Sequence, residues 1–250
     1  MSVVHSAARV VDAKVPSCRN CSLNPSCATS PDLTLIESFK IAHGRAWSGD
    51  VIIEQGAQRP RLFTMFSGWG IKYKSLDSGE RQVVHLLLPG DLVGLETCVT
   101  GVSEFGVQAV TDVTYCAFDA ERFSEVATAP GVSRRIMMMQ AHESSMIAER
   151  LTAVGACDAK RNLAHLIASI HLRLLKLGLS QEHGFRLPLS IQQIADCCGL
   201  TPVHVHRVLR ALREENIVEL DCRKIEILDL KALREIARVS GMELPQGFIL

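Results

Sequence analysis

The chain has no apolar run approaching the roughly 18 to 20 residues that span a bilayer. Its first residues, Met1 to Val15, also lack the continuous apolar core of a secretory signal, because His5, Arg9, Asp12 and Lys14 are scattered among short apolar pairs. Net charge is missing too: 27 basic residues balance 27 acidic ones, which excludes a broadly basic nucleic-acid coat and leaves room only for a local basic surface. Nine cysteines in 250 residues are an odd count in a chain far too long for a disulfide-stapled miniprotein. These absences predict a cytoplasmic protein in a reducing compartment, without a membrane span and long enough for one large domain or two smaller ones.

What is present is more restrictive. The segment CRNCSLNPSC carries Cys18, Cys21 and Cys27, with two residues between the first pair and five between the second, and Asn24 and Pro25 break any helix. Such a loop can aim three sulfurs at one point. Thiolates suit a soft metal or an iron-sulfur centre, both of which take about four ligands, so a fourth must come from elsewhere. The spacing alone leaves open a reduced exposed loop, a disulfide, a structural zinc site and a cluster.

Along the chain, residues 1 to 17 show no sustained period and read as a flexible arm. Leu33, Leu35, Ile36 and Phe39, behind Pro31 and Asp32, are spaced for a short amphipathic helix. Between Trp47 and Phe123, short apolar runs alternate with glycine-bearing turns: VII before Gly56, LFTMF before Gly68 and Gly70, IKYKSL before Gly79, VVHLLL before Pro89 and Gly90, with Tyr115 to Phe118 as a late strand. This texture predicts an antiparallel β-roll. From Gly131 to Cys157 turn signals almost vanish; Met137, Ser144 and Leu151 repeat every seven residues, as do Gln140, Ile147 and Val154. The repeat predicts a long helix with a dimerisation seam, polar at Gln140 and Ser144 and apolar beyond, against the alternative of a helix buried on the roll with Met137 to Met139 as filler. Leu163, Leu166, Ile167, Ile170 and Leu174 mark a second helix over 158–178, stopped by Gly178, and Leu187 to Leu189 read as a short strand.

The segment SIQQIADCCGLTPVHVHRVLRALREENIV has the pattern of a DNA-binding helix-turn-helix. Ile194 and Ala195 form the inner face of a first helix, Gly199 supplies the turn and Leu200 plugs the corner; Thr201 is a good N-cap and Pro202 suits the first helical position. Val205, Val208, Leu209 and Leu212 face inward, while no acidic residue occurs from Thr201 to Arg213. Docking in a major groove makes Val203, His204, His206 and Arg207 the candidates for base edges, with Arg210 and Arg213 meeting phosphates. IVEL, the polar Asp221 to Lys224 turn and IEIL make a hairpin wing, and Leu230 to Val239 a closing helix.

A β-roll, a long helix and a winged helix-turn-helix, in that order, resemble the CRP/FNR superfamily of bacterial transcription regulators, with GDLVGLE at 90–96 similar to its roll motif. The resemblance covers nearly the whole chain from Cys18. It implies an α+β fold: an arm over 1–30, a cyclic-nucleotide-binding-like β-roll sensor over 31–130, a dimerisation helix over 131–157 and a winged helix-turn-helix over 158–250. The cysteines resemble the oxygen-responsive FNR branch, which has three N-terminal cysteines at this spacing and a fourth about 26 residues beyond the glycine opening the GDLVG motif; the same step from Gly90 reaches Cys116. The resemblance thus implies a [4Fe-4S] cluster on Cys18, Cys21, Cys27 and Cys116, responding to oxygen or nitric oxide, and Cys98 is the rival fourth ligand. It also implies a homodimer on a pseudo-palindromic promoter in double-stranded DNA, RNA polymerase as partner, and no enzyme activity.

Two departures qualify it. The stretch Gly106 to Val110 has no arginine for the phosphate of a cyclic nucleotide. The glutamate, serine and arginine with which FNR-branch members read DNA correspond to Val203, His206 and Arg207, so only the arginine is kept. A zinc-bound or dithiol-switched regulator using the same cysteines is the alternative. Cys157, Cys197, Cys198 and Cys222 have no partner pattern, and the remaining histidines, His43 and His85 among them, show no ligand spacing.

Overall fold

The computed structural model describes residues 9–10, 17–18, 21, 30–58, 61–180 and 183–238. They form two compact units that part within one long helix, between Ser144 and Ser145. No helix among the described residues is long and apolar enough to cross a membrane.

The first unit contains β1 (Arg9–Val10), α1 (Ser30–Phe39), β2 (Lys40–Ala46), β3 (Val51–Ile53), β4 (Leu62–Ser67), β5 (Gly70–Ser75), β6 (Arg81–Leu87) and β7 (Leu92–Val93). It continues with α2 (Leu95–Thr100), β8 (Gly106–Ala109), β9 (Val113–Phe118), α3 (Phe123–Ala127) and the start of α4 (Pro130–Ala156). Two antiparallel sheets result, ordered β1-β2-β9-β4-β7 and β3-β8-β5-β6. Strand alternation turns one side chain in two inward. Phe63 and Met65 from β4, Val113 and Tyr115 from β9, and Val107 and Ala109 from β8 therefore meet in one core cluster. Burying each of the larger apolar side chains contributes about 1.5–3 kcal/mol, and the Phe63 and Tyr115 rings lie 4.8 Å apart between centroids.

The GDLVG motif is a backbone device. Asp91 accepts a hydrogen bond from the Leu88 amide at 2.8 Å, and Gly94, at φ 90°, starts α2 where an added Cβ would stand 1.7 Å from the Arg61 carbonyl oxygen. Only glycine tolerates both the angle and the approach. A satellite core of Phe39, Val126 and Val132, joined by Leu35, Ile36 and Ile136, packs α1 and α3 against the first turns of α4. Leu35, Ile36 and Phe39 of α1 therefore face inward as their spacing predicts. The N-terminal reading needs one correction: Arg9–Val10, placed by sequence in a flexible arm, pairs with Arg45 and Gly44 at the edge of the sheet.

The second unit holds the rest of α4, α5 (Ala159–Lys176), β10 (Gly184–Arg186), α6 (Ile191–Cys198), α7 (Pro202–Glu214), β11 (Val218–Asp221), β12 (Lys224–Ile227) and α8 (Leu230–Ala237). Asp158 caps α5 by accepting from the Arg161 amide, and Leu163, Leu166, Ile167, Ile170 and Leu174 are all buried. The wing is the three-stranded sheet β10-β12-β11. Its first strand is Gly184–Arg186, three residues before the predicted Leu187–Leu189. Those leucines are buried, as a strand pattern anticipates, but Pro188 between them has no amide to donate to a ladder. The β11–β12 turn is made by Cys222 and Arg223, at φ 45° and 63°, the two left-handed angles of a tight hairpin.

Candidate functional site

Cys116 sits on β9, the central strand of its sheet, opposite His43 on β2 and Thr64 on β4. Its Sγ lies 3.8 Å from His43 Nδ1. Burial pushes the Cys116 thiol up to about 11; Lys40 opposes this, while Cys21 and Cys18 add to it. Cys18 is likewise raised, first by burial, with Lys40 opposing and Glu37 and Cys21 reinforcing. The three thiols therefore lie within electrostatic reach of one another, at the junction of α1 and β2. Cys27 lies outside the described residues, and among those residues no group of three His, Cys, Asp or Glu side chains is arranged to hold a metal ion.

Cys98 lies elsewhere, on α2. Its Sγ contacts the Gly94 carbonyl at 3.5 Å, burial pushes it up to about 11, and the charge acting on it is that of Glu96 rather than another thiolate. The pairing of His43 with Cys116 has no sequence signal, because it depends on cross-strand register. Burial, then Lys40, lowers His43 to about 4, and its Nε2 is buried without a hydrogen-bond partner.

On α4 the expected seam is open to solvent in the single chain. Met137 is 64% exposed and Leu151 70%, Gln140 and Ser144 are exposed, and Ile147 and Val154 are half-buried. Large apolar side chains left this open on a regular helix are what an interface between helices uses. The alternative of a helix buried on the roll does not describe these positions.

The reader is assembled as its residues predict. Ser190 and Gln193 form a reciprocal capping box at the start of α6, and Gly199, at φ 61°, ends it. Thr201 caps α7 through the His204 amide, with Pro202 in its first turn. Val205, Val208 and Leu212 are buried. Outside, Val203, His206 and Arg207 are exposed along one face at i, i+3 and i+4, whereas His204 is half-buried. The arginines differ more than the sequence shows. Arg210 is ion-paired with Glu214 at 2.8 Å and Arg213 with Glu219 at 3.0 Å, while among the described residues Arg207 has no ion-pair partner. Arg210, expected to meet phosphate, shares an exposed ion pair with Glu214 on its own helix.

Sequence reasoning missed Arg150, in the second half of α4. Its guanidinium donates to the Cys197 carbonyl at 3.1 Å and to the Asn162 carbonyl at 3.2 Å, and lies 3.2 Å from Cys198 Sγ and 3.3 Å from His165 Nδ1. Asn162 Nδ2 donates to the Cys198 carbonyl at 2.8 Å. The contacts to the Cys197 and Cys198 carbonyls satisfy groups that a helix end leaves orphaned, here at the end of α6. Because arginine only donates, His165 Nδ1 must accept, which leaves the hydrogen of the neutral ring on Nε2, a buried atom with no partner. Burial, then Arg150, lowers His165 to about 4.

Comparisons with known proteins agree with this architecture. Residues 46–129 match the cyclic nucleotide-binding domain and residues 163–236 the Crp-like helix-turn-helix domain. The transcriptional activator protein FnrL of Cereibacter sphaeroides is 29% identical over 213 residues, covering 83% of this chain and 85% of that protein. The nitrogen fixation regulation protein FixK of Bradyrhizobium diazoefficiens is 27% identical over 224 residues, covering 88% and 93%. The solved structure of FixK2 from Bradyrhizobium japonicum shares the fold at a TM-score of 0.71 and 23% identity, over 79% of this chain and 98% of that one. With a roll, a long helix and a winged reader in this order, and relatives matched over most of their length, the chain belongs to the CRP/FNR family of DNA-binding transcription regulators.

Proposed function

We propose that this regulator is of the FNR type: Cys18, Cys21, Cys27 and Cys116 hold a [4Fe-4S] cluster, and the state of that site controls dimerisation through α4 and promoter binding through α7. The observation that carries this reading is that two thiols of the N-terminal segment act electrostatically on Cys116, a thiol fixed on a strand bonded from both sides. The donor chemistry fits. Burial and repulsion from its neighbours hold the isolated Cys116 in its protonated form at neutral pH, and a cationic iron-sulfur core is what favours thiolates in such a place. When bound, the cluster supplies a redox centre sensitive to oxygen and nitric oxide.

The protein's own residues do the rest. Cys116 anchors one ligand in the roll, and Cys18, Cys21 and Cys27 tie the N-terminal segment to it. The α4 seam, with polar Gln140 and Ser144 in its first half, makes a dimer weak enough to be regulated. Paired chains present two α7 helices to successive major grooves, about one helical turn apart, on a pseudo-palindromic promoter site from which RNA polymerase is addressed.

The test is an optical and Mössbauer spectrum of anaerobically purified protein before and after air, with a parallel DNA titration. An iron-containing, coloured protein that loses colour and DNA affinity together in air is expected. Colourless, iron-free protein that binds DNA fully overturns the reading, and zinc in place of iron replaces it with a zinc-stabilised regulator.

A further inference from the structure

We propose that Lys72 is a positioning residue through which the β-roll sets the dimer seam of α4, acting by way of Glu143 on Gln140. The inference rests on the reading of α4 as the dimerisation helix. Lys72 lies on β5, fixed by pairing with His85 on β6 and Val107 on β8, and is only 7% exposed. A buried ammonium is tolerated only when charges and dipoles surround it. Here its Nζ stands 3.0 Å from Glu143 on α4, 3.6 Å from Glu96 on α2 and 4.6 Å from the centre of the Phe105 ring. One cation thus joins three separate elements of the first unit.

The geometry continues past the ion pair. Lys72 holds one oxygen of Glu143, Oε1, and the other, Oε2, accepts from Gln140 Nε2 at 3.4 Å. Gln140 belongs to the polar half of the seam. A polar residue in a helix interface fixes register and partner at a cost in stability, and an amide already held in one orientation loses less side-chain entropy when it does so. Lys72 holds it, through a carboxylate that cannot rotate away without leaving the ammonium with Glu96 alone. The roll therefore acts on the seam through a chain of three side chains.

The experiment measures the dimer dissociation constant of the anaerobically purified full chain by sedimentation, for Lys72→Met, Gln140→Leu and the double variant. Lys72→Met is expected to weaken the dimer about tenfold, the size of one lost charge-assisted hydrogen bond. Gln140→Leu removes the amide that Glu143 orients, so adding Lys72→Met to it should change the constant less than about twofold, within the error of additivity. Glu143→Ala, which leaves Lys72 paired with Glu96, serves as the second variant where Lys72→Met fails to fold, and follows the same pattern. Equal weakening in both backgrounds assigns Lys72 a purely structural role and overturns the proposal, as does no weakening in either. A wild-type chain that stays monomeric overturns the seam itself and the proposal with it.

Discussion

Arg150 donates to the main-chain carbonyl of Cys197 at 3.1 Å, so a residue on α4 closes the last turn of the first reader helix. Replacing it by alanine leaves the carbonyls of Cys197 and Asn162 without that donor. Arg150→Ala should lower the stability of the second unit by on the order of 3 kcal/mol, and Arg150→Lys, without the forked geometry, should restore only part of it. Thermal unfolding followed by far-ultraviolet circular dichroism measures both.

His165, next to Arg150, gives the same unit a pH dependence. Its pKa is lowered from the ordinary 6.5 to about 4 in the folded chain by burial and by Arg150. Between those values the unfolded chain binds a proton that the folded chain does not, so this contribution is complete above about 6.5 and is lost as pH falls towards 4. Denaturant titrations over this range should show falling stability, with a shallower slope in His165→Gln. An unchanged slope in that variant would show that another group titrates.

The reader should discriminate between its arginines. Arg207→Ala is expected to cost about 1–3 kcal/mol of DNA affinity and to relax preference at one guanine. Arg210→Ala, which removes a side chain placed for phosphate rather than for a base edge, should weaken binding about equally on all sequences and leave base preference unchanged. Val203, 70% exposed beside Arg207, offers only methyl groups, and the base feature that complements these is the thymine methyl. Replacing the contacted thymine by uracil should weaken binding about fourfold, the worth of one buried methyl, and Val203→Ala should abolish the difference.

The two candidate fourth cysteines separate by metal analysis. Cys116→Ala should yield protein without iron under anaerobic purification, while Cys98→Ala, whose sulfur faces the Gly94 carbonyl, should retain its full complement. Iron retained by the first and lost by the second would transfer the ligand role to α2.

Much of the architecture was legible because local physics and the fold agree. The helical period at Leu163, Leu166, Ile167, Ile170 and Leu174, the Thr201–Pro202 start of α7 and the glycine turns of the roll are each settled within a few residues of chain. Strand β2, KIAHGRA, escaped because Gly44 stands where alternation would put an apolar residue. The Tyr115 ring fills that space, and an added Cβ would come 1.9 Å from it. The cysteine spacing was legible, but the His43 partner of Cys116 was not, since cross-strand register leaves no periodic trace. Lys72 lies in the run IKYKSL, which carries no local sign of its burial; that burial is imposed by α2 and α4, whose carboxylates arrive from far along the chain.

The wing turn offers a practical handle. Cys222 occupies its tip in the left-handed region, and among the described residues it is the one exposed free cysteine. A thiol-reactive fluorophore attached there would report engagement of the wing while the half-buried thiols react more slowly. The hydrogen bond to Asp221 raises the pKa of Cys222, so the labelling window opens on the alkaline side of neutrality.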